Sequence, residues 1–444
     1  MRKSYKYILL NAAGLLIAGS LASCSETDAE KDRGSAPVIK YARMCDSDKA
    51  DSLVVSASLG TRLAFVGDNL GDVQQVWFND QKAKLNPTMV TSHTIIVDIP
   101  NLIPAEVNNT ARFITSTGME VNYPFNVIVP APRIDNMSCE YAKAGETVTF
   151  KGAYFADDPN VPFTVTFPGG IPAEIKSLSE EEVSVVVPDG AVEGPVTMTS
   201  IYGEGSSSFR YMDTRGMLFD FDSPTDFGSN GQWWHAPTFM TDDSSISGKY
   251  MMLNANKVTM SADGGWDDSN FAFEYWPGAW TDPVTYPAGI GDRLFDIADF
   301  SDFNNKCLKF EINIPAENPW QAGAMQFIFA GTDKISFGNA GLDEFGNNVA
   351  GCNNTYFQGD NEGLARGLWI PWSDTEAYHT NGEWVTVSFP IKDFVYGHNG
   401  TGADKFLGSK EDFASLMIFV VAGGKTGVDC QPVFKFDDIR VVPN

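Results

Sequence analysis

Nine of the ten tryptophans in this 444-residue chain lie between residues 216 and 444, where their setting suggests binding chemistry. An aromatic ring presents a negative π-face and excludes water, so it stacks well on the flat C–H face of an uncharged sugar. Two stretches, GQWWH at 231–235 and FEYWPGAW at 273–280, place adjacent aromatic residues beside glycine or proline. At least one ring of each group is expected to point away from the core. Carboxylates and amides nearby, such as Glu274 and Asn270, can hydrogen-bond hydroxyl groups.

The residues predicted to bind a neutral glycan are Trp276, Tyr275, Trp234 and Trp320, the last in the loop sequence ENPWQAG. The alternative for each is core packing, because tryptophan is highly buried on average. Core or rim positions are expected instead for Trp369, Trp372 and Trp384, and Trp266 and Trp280 are weaker binding candidates.

Catalytic chemistry has less support in the sequence. A glycan hydrolase needs two carboxylates about 5–10 Å apart across the scissile bond, and the Glu-x-Asp-x-x-Glu pattern that jelly-roll endoglucanases often use for them is absent. Gly-x-Ser-x-Gly is also missing, and the four histidines form no His-Glu-x-x-His motif. We predict no catalytic residues and no cofactor, although acids are numerous enough that a pair formed in space stays open.

Metal binding is a minor hypothesis. No Cys-x-x-Cys occurs among the six cysteines, so a zinc cluster is not expected. Asp220 and Asp222 open the C-terminal region and Asp437 and Asp438 close it, on strands that could be neighbours and could hold Ca²⁺. Ordinary solvated aspartates are the favoured interpretation, and no metal site is predicted. The formal charge of −26 disfavours a nucleic-acid partner, since phosphate binding requires concentrated Lys and Arg.

The elements that must position these residues are strands. Residues 36–213 contain a degenerate repeat, in which GTRLAFVG at 60–67 is echoed by GETVTFKG at 145–152. Each copy alternates β-branched and polar residues in short runs between Gly and Pro, which is typical of a β-sandwich. We expect one sandwich at 37–130 and a second at 131–213, both acting as spacers, with a stiff proline junction at 130–132.

The region 216–444 is predicted to form one larger β-sandwich of jelly-roll type. Its alternating runs predict strands, because helical periodicity is nearly absent. The six predicted strands lie at 217–221, 308–314, 324–329, 384–389, 416–421 and 433–442. The chain is therefore expected to be all-β.

The N-terminus has the features of an export signal. Arg2, Lys3 and Lys6 precede a short apolar run, and Leu-Ala-Ser-Cys at 21–24 matches the lipobox of bacterial lipoproteins. We expect removal of residues 1–23 and acylation of Cys24, followed by an acidic linker at 24–36. Several acyl chains would anchor the protein stably, because each buried methylene contributes about 0.8 kcal/mol.

Taken together, these features resemble the B-type cell-surface glycan-binding lipoproteins of Bacteroidetes, with TIG/IPT spacers and a xyloglucan-binding-type C-terminal domain. The resemblance is carried by the lipobox and acidic tag, the repeat, and the segments 273–276, 314–325, 378–387 and 436–441. It implies non-catalytic capture of a neutral polysaccharide, a β-glucan such as xyloglucan or mixed-linkage glucan, on the outer face of the outer membrane.

The resemblance also implies partners, namely a TonB-dependent importer, its lid lipoprotein and surface glycanases. Two other function classes stay open at this point. A surface endo-glycanase of jelly-roll type would need the carboxylate pair described above, and a protein-binding adhesin would explain the spacers but not the tryptophan-rich loops.

Overall fold

The computed structural model describes residues 27–46, 48, 51–222, 237–275, 293–331 and 364–444. The chain divides into two compact units, Met1–Val129 and Pro130–Asn444. Helices in the described ranges are short: α1 Asp28–Asp32, α2 Asp268–Phe271, α3 Leu294–Ile297 and α4 Trp372–Thr375. None of them has the length and apolar character that crossing a membrane requires. Single 3₁₀ turns cover Pro87–Met89, Phe303–Asn305, Ile391–Asp393 and Lys410–Asp412.

The first unit is an immunoglobulin-like sandwich, which we call the first module. Its strands are β1 Val38–Met44, β2 Ser56–Ser58, β3 Arg62–Asp68, β4 Val73–Phe78, β5 Gln81–Lys82, β6 Thr94–Asp98, β7 Thr110–Thr115, β8 Glu120–Pro124 and β9 Asn126–Ile128. One sheet has the order β1-β3-β6, the other β5-β4-β7-β8, and β2 pairs with β9. The core lies between the sheets, where Phe65 meets Phe113 and Phe125 edge-on with ring centroids 5.0 and 5.9 Å apart.

The described part of the segment predicted to be an acidic linker contains a helix that is bonded to the first module. From Thr27 onward it forms α1, which is closed by a capping box between Thr27 and Glu30. Two aspartates attach the helix to the first module: Asp28 accepts a hydrogen bond from the Ser92 backbone N–H, and Asp32 accepts one from Gly71. The linker prediction is therefore wrong from residue 27 on, because these carboxylates satisfy backbone donors instead of remaining in solvent.

The second repeat forms another sandwich, the second module. Its strands are β10 Arg133–Met137, β11 Thr147–Ala153, β12 Thr164–Phe167, β13 Ile171–Pro172, β14 Glu174–Leu178, β15 Glu182–Val186, β16 Thr197–Ser200 and β17 Gly203–Ser206. The two sheets have the orders β10-β11-β15-β14 and β13-β12-β16-β17. The repeat extends to backbone detail, because β1 and β10 each carry an irregularity opposite the glycine that ends the echoed motif. A Cβ on Gly67 would lie 1.9 Å from the Val38 carbonyl oxygen, and one on Gly152 the same distance from that of Arg133, so only glycine fits.

The C-terminal domain, residues 216–444, is the predicted larger sandwich. Its strands are β18 Met217–Phe219, β19 Thr238–Met240, β20 Tyr250–Leu253, β21 Ala272–Tyr275, β22 Lys306–Asn313, β23 Ala324–Ala330, β24 Gly367–Trp369, β25 Trp384–Pro390, β26 Ser415–Val421 and β27 Phe434–Pro443. A six-stranded sheet has the order β19-β20-β27-β22-β25, with β18 also on β27. A four-stranded sheet has the order β21-β26-β23-β24. All six strands predicted from alternation are present, and the two sheets meet where Phe310 contacts Phe327 and Phe436.

The second module and the C-terminal domain share a buried group of charges, which we call the junction network. Glu140 of the second module accepts from Lys309 Nζ at 2.5 Å and from Arg440 at 2.7 Å, and both cations belong to the C-terminal domain. Arg440 also donates to Glu311 at 3.0 Å, and neither of these side chains is exposed at all. Burial raises the pKa of the Glu311 carboxyl while the Arg440 charge opposes that rise.

Ordinary packing and backbone bonds surround the junction network. Trp384 of β25 packs against the hydrophobic core of the second module and donates its indole N–H to the Ser244 carbonyl. Thr386 of the same strand donates its backbone N–H to the Ser138 carbonyl, and its hydroxyl accepts from the Glu140 N–H. The second module is thus fixed to the C-terminal domain by buried ion pairs, apolar packing and backbone hydrogen bonds.

Candidate functional site

The structure places Tyr275 in the core. It is 2% exposed and lies on β21, where its ring contacts Phe219 with centroids 5.3 Å apart. Tyr275 and Phe273 are two residues apart on a strand, so both face inward. The prediction that Tyr275 stacks on a sugar is therefore wrong, because the short run Phe-Glu-Tyr is a strand and not a loop.

Trp320 is also a core residue, with no exposed surface. Its indole N–H donates to the Ala322 carbonyl at 2.7 Å, and its backbone pairs with Tyr378. The ring lies edge-on to Trp369 and Phe434, with centroids 5.5 and 5.3 Å away. Although the sequence around Trp320 has the composition of a loop, the loop turns its ring inward and closes one end of the core. The binding role predicted for Trp320 is wrong for this reason.

Three further predictions fall on residues that the structure does not describe. Trp234 and Trp276, the other predicted glycan-binding residues, lie outside the described ranges, as does Cys24. Trp384, Trp369 and Trp372 do lie in the core or at its rim, as expected from their positions in or beside strands.

The four-stranded sheet has an outer face that faces away from the six-stranded sheet. Phe273 and Tyr275 point inward, so Glu274 between them points outward. By register, Glu274 lies opposite Met417, and Gln326 lies opposite Phe419 on one side and Leu368 on the other. Glu274 and Gln326 are thus polar side chains on a mainly apolar outer face, and neither is solvent-exposed.

Gln326 is the centre of a hydrogen-bond network on this face. Its amide oxygen accepts from Arg366 at 3.1 Å, and its amide nitrogen donates to the carbonyls of His398 and Val421. Arg366 is fully buried beside the edge strand β24. Burial, followed by the Arg366 charge, lowers the pKa of His398 to about 4, so this imidazole is neutral at pH 7. The network fixes amide, guanidinium and imidazole groups in one geometry.

Trp266 is the exposed tryptophan beside this face. It is 45% exposed, and its ring meets Phe419 edge-on with centroids 4.9 Å apart. Its position is set from both sides in the chain, because the Ala422 N–H donates to the Gly264 carbonyl and Asp267 caps α2. Trp266 is a weaker binding candidate from its sequence, since nothing near it in the chain shows that a ring after Gly-Gly would contact a strand more than 150 residues later.

Strand β21 ends at one end of the four-stranded sheet. Tyr275 pairs with Leu416 and Ala330 pairs with Ser415, so β21 and β23 finish at the same end of the sheet. Trp276, a predicted glycan-binding residue, follows Tyr275 directly in the chain.

The four aspartates considered for calcium form a different arrangement. Asp437 and Asp438 are 0% and 3% exposed, so the interpretation as solvated aspartates is wrong for these two, whereas Asp222 is exposed and Asp220 is half-buried. The Ser247 hydroxyl lies 2.9 Å from a carboxylate oxygen of each. In the described ranges, no group of three or more potential ligand side chains is arranged to hold a metal ion. Burial raises the pKa of both carboxyls, and the charges of the neighbouring acids add to that rise.

The outer face therefore combines a buried polar network with an exposed indole at its rim. Glu274, Gln326 and Arg366 lie inside the domain and support the sheet, while Trp266 offers a ring at the surface. An exposed ring of this kind suits stacking on an uncharged sugar.

Comparison with known proteins agrees with this chemistry. The family model described as "Surface glycan-binding protein B xyloglucan binding domain" matches residues 211–443, more than half of the chain. This chain belongs to the surface glycan-binding protein B family. A solved member, surface glycan-binding protein PbSGBP-B from Prevotella bryantii, is 41% identical, with a TM-score of 0.82 over 92% of this chain and 99% of that one.

A second relative of this surface glycan-binding protein is an IPT/TIG domain-containing protein from Bacteroides ovatus. The two are 33% identical over 197 residues, which is 41% of this chain. The match spans 39% of the length of the Bacteroides protein. Both the family and the IPT/TIG character of the spacers, expected from the sequence, are confirmed.

Proposed function

We propose that this protein binds a neutral β-glucan, with xyloglucan as the first candidate, through its C-terminal domain and without cleaving it. The observation that carries the proposal is the family match over residues 211–443, which spans both sheets of that domain. Identity of 41% along nearly the whole length of the Prevotella surface glycan-binding protein supports the same conclusion.

The site chemistry supports a neutral ligand. Trp266 presents an indole at the rim of the outer face, and Trp276 is the second candidate ring by its place in the sequence after Tyr275. A sugar chain that stacks on such rings would exclude water, which is the main favourable term for an uncharged ligand. The high acidic content of the chain would repel an acidic polysaccharide.

The internal bonds made by two buried pairs of acids support binding without hydrolysis. Glu140 and Glu311 both accept from Arg440 inside the junction network. Asp437 and Asp438 share contact with Ser247. A retaining or inverting glycosidase needs its two carboxyl groups free to face a glycosidic bond, whereas these four acids are engaged in internal structural bonds.

We further propose that the protein is held on the outer face of the outer membrane by acyl chains on Cys24. There it would work alongside a TonB-dependent importer, its lid lipoprotein and surface glycanases. The lipobox at 21–24 and membership of the surface glycan-binding family support this placement.

Affinity electrophoresis of a chain starting at residue 25 tests the binding proposal. Xyloglucan, mixed-linkage β-glucan, laminarin, mannan and starch are each embedded in the gel. We expect retardation by xyloglucan, by mixed-linkage glucan or by both. Absence of retardation by all five polymers would refute glycan binding, and release of reducing ends would establish hydrolysis instead.

The site is tested by Trp266→Ala, with Trp77→Ala as the matched control. Trp77 is a half-buried tryptophan of the first module, stacked under Arg112 with the guanidinium 5.3 Å from the ring centroid. Loss of one stacking ring is expected to weaken binding by about tenfold, equivalent to about 1.4 kcal/mol. Equal affinity of Trp266→Ala and Trp77→Ala would remove Trp266 from the site.

A further inference from the structure

We propose that one end of the first module lies directly against the lipid headgroups, without a flexible tether between anchor and module. The proposal rests on the acylation of Cys24 proposed above. The face concerned, called the membrane-facing end, consists of α1 and the loops that contact it, Asn69–Asp72 and Ser92–His93. Its partner is a lipid surface.

The first argument is that α1 is part of the module. The Asp32 carboxylate accepts from the Gly71 N–H at 2.9 Å, and Asp32 is only 4% exposed. Asp28 accepts from the Ser92 N–H at 3.1 Å. Farther along, the Asn69 side chain donates to the Ala36 carbonyl at 3.2 Å. Contacts therefore run along the whole segment from Asp28 to Ala36.

Close packing at Gly71 also shows that α1 lies in direct contact with the first module. A Cβ on Gly71 would lie 2.5 Å from the Asp28 carbonyl oxygen and 2.8 Å from the Asp32 carboxylate. Real Cβ atoms do not approach other atoms so closely, so the helix backbone rests on a position that only glycine allows. The Thr27–Glu30 capping box closes the N-terminal end of α1.

The second argument is chain length. Only Ser25 and Glu26 separate Thr27 from Cys24, so the Cα atoms of Cys24 and Thr27 can be at most about 11 Å apart. A free linker over 24–36 would instead reach up to roughly 45 Å. Because acyl chains hold Cys24 at the headgroup level, the short distance places α1 and its contacting loops at the membrane surface.

Strand direction identifies the opposite end of the module. Strand β6 runs from Thr94 to Asp98, with His93 before it and Leu102 beyond it. The strand spans about 13 Å from Thr94 to Asp98, and its pairing continues to Ile99, so Leu102 and His93 lie beyond opposite ends of the strand. Both side chains are accessible: the side chain of His93 is 71% exposed and Leu102 is 63% exposed. The two positions therefore report on the near and far ends of the same rigid module.

The experiment uses the full lipidated chain in vesicles of phosphatidylethanolamine and phosphatidylglycerol that carry a nitroxide-labelled headgroup. A fluorescent noncanonical residue is placed at position 93 or at position 102. Because nitroxides quench only at short range, we expect stronger quenching at 93 than at 102. A ten-residue Gly/Ser insertion between Glu26 and Thr27 adds roughly 17 Å of root-mean-square reach and should abolish the difference.

Release of the helix is tested by Asp28→Ala/Asp32→Ala. This double variant should also lose the quenching difference, and in the soluble Cys24→Ala chain the same two changes should speed hydrogen exchange at the Gly71 and Ser92 amides. The control Asp46→Ala/Asp51→Ala removes two exposed acids that take no part in the hydrogen bonds by which Asp28 and Asp32 hold α1. It should keep the wild-type pattern, which separates helix release from loss of charge.

Two results would overturn the proposal, and they are distinguishable. Equal quenching at 93 and 102 in the membrane-bound wild type, unchanged by the insertion, would show that the membrane-facing end is not near the headgroups while leaving the anchor intact. A wild-type chain that stays with the membrane no better than Cys24→Ala would overturn the anchor and this proposal together.

Discussion

Removing the Glu140 side chain tests how firmly the second module is joined to the C-terminal domain. In Glu140→Ala, Lys309 loses the carboxylate 2.5 Å from its Nζ, and Arg440 loses one of its two carboxylate partners. Both cations are nearly or fully buried, at 8% and 0% exposed. Water cannot easily replace the lost acceptor, so the change leaves uncompensated charge inside the protein.

The expected cost follows from that burial. Breaking a buried ion pair by removing one partner typically destabilises a protein by about 3–5 kcal/mol. Glu174→Ala is the control, since Glu174 forms a comparably short bond to Lys176 with side chains 69% and 47% exposed. A surface pair of this kind contributes about 0–1 kcal/mol. The two variants remove the same side chain from the same module and differ chiefly in burial.

Guanidinium unfolding followed by tryptophan fluorescence is the assay. Nine of the ten tryptophans lie in residues 216–444, so the signal reports chiefly on the C-terminal domain. Although Glu140 belongs to the second module, we expect its removal to lower the free energy of unfolding of that domain. A second change, Lys309→Met, should recover about 1–3 kcal/mol in the Glu140→Ala background by removing an unpaired cation. If Glu140→Ala and Glu174→Ala agree within about 1 kcal/mol, the reasoning from burial is refuted.

Three further predictions concern other parts of the chain. Because burial raises the pKa of Asp437 and Asp438, the folded state keeps protons that the unfolded state releases, and the free energy of unfolding should fall as the pH rises from about 4 toward about 9. Asp437→Asn should flatten that slope in urea titrations at several pH values, and an unchanged slope would contradict the assignment. Trp276→Ala should abolish or severely weaken retardation in the glycan gel while its unfolding curve matches that of Trp77→Ala. Cys24→Ala should move the protein from the membrane fraction to the soluble fraction, and continued membrane retention would contradict the lipobox assignment.

Local patterns predicted the strands well because their cause is local. In β25, Val385, Val387 and Phe389 recur at every second position, which is the period of two in side-chain direction that places them on one face of the strand. The repeat was detectable for the same reason, since Gly67 and Gly152 each oppose a carbonyl that excludes any side chain. Such constraints act within a strand or between two strands that pair directly.

The binding residues depended on contacts that the sequence does not show. Trp320 has loop composition, yet Trp369 and Phe434 form an apolar pocket for its ring. Trp266 follows a similar glycine-rich stretch and is exposed, because its neighbour Phe419 supports only one edge of the ring. Local composition is alike in the two cases, and the difference comes from partners 49 to 153 positions away.

The ion pairs of the junction network also could not be predicted from local sequence. They show that the second module and the C-terminal domain form one structural unit. Glu140 and Arg440 are separated by 300 positions, so nothing local marks them as a pair. Composition places a domain boundary near residue 216, but a chain cut there would keep Lys309 and Arg440 without their Glu140 partner. A buried charge that loses its partner costs more than a mispositioned apolar side chain, so any other docking angle of the second module is strongly disfavoured. The smallest compact part of the chain that keeps Lys309 and Arg440 with their Glu140 partner is therefore residues 130–444, and the second module determines the orientation of the glycan-binding domain as well as its distance along the chain.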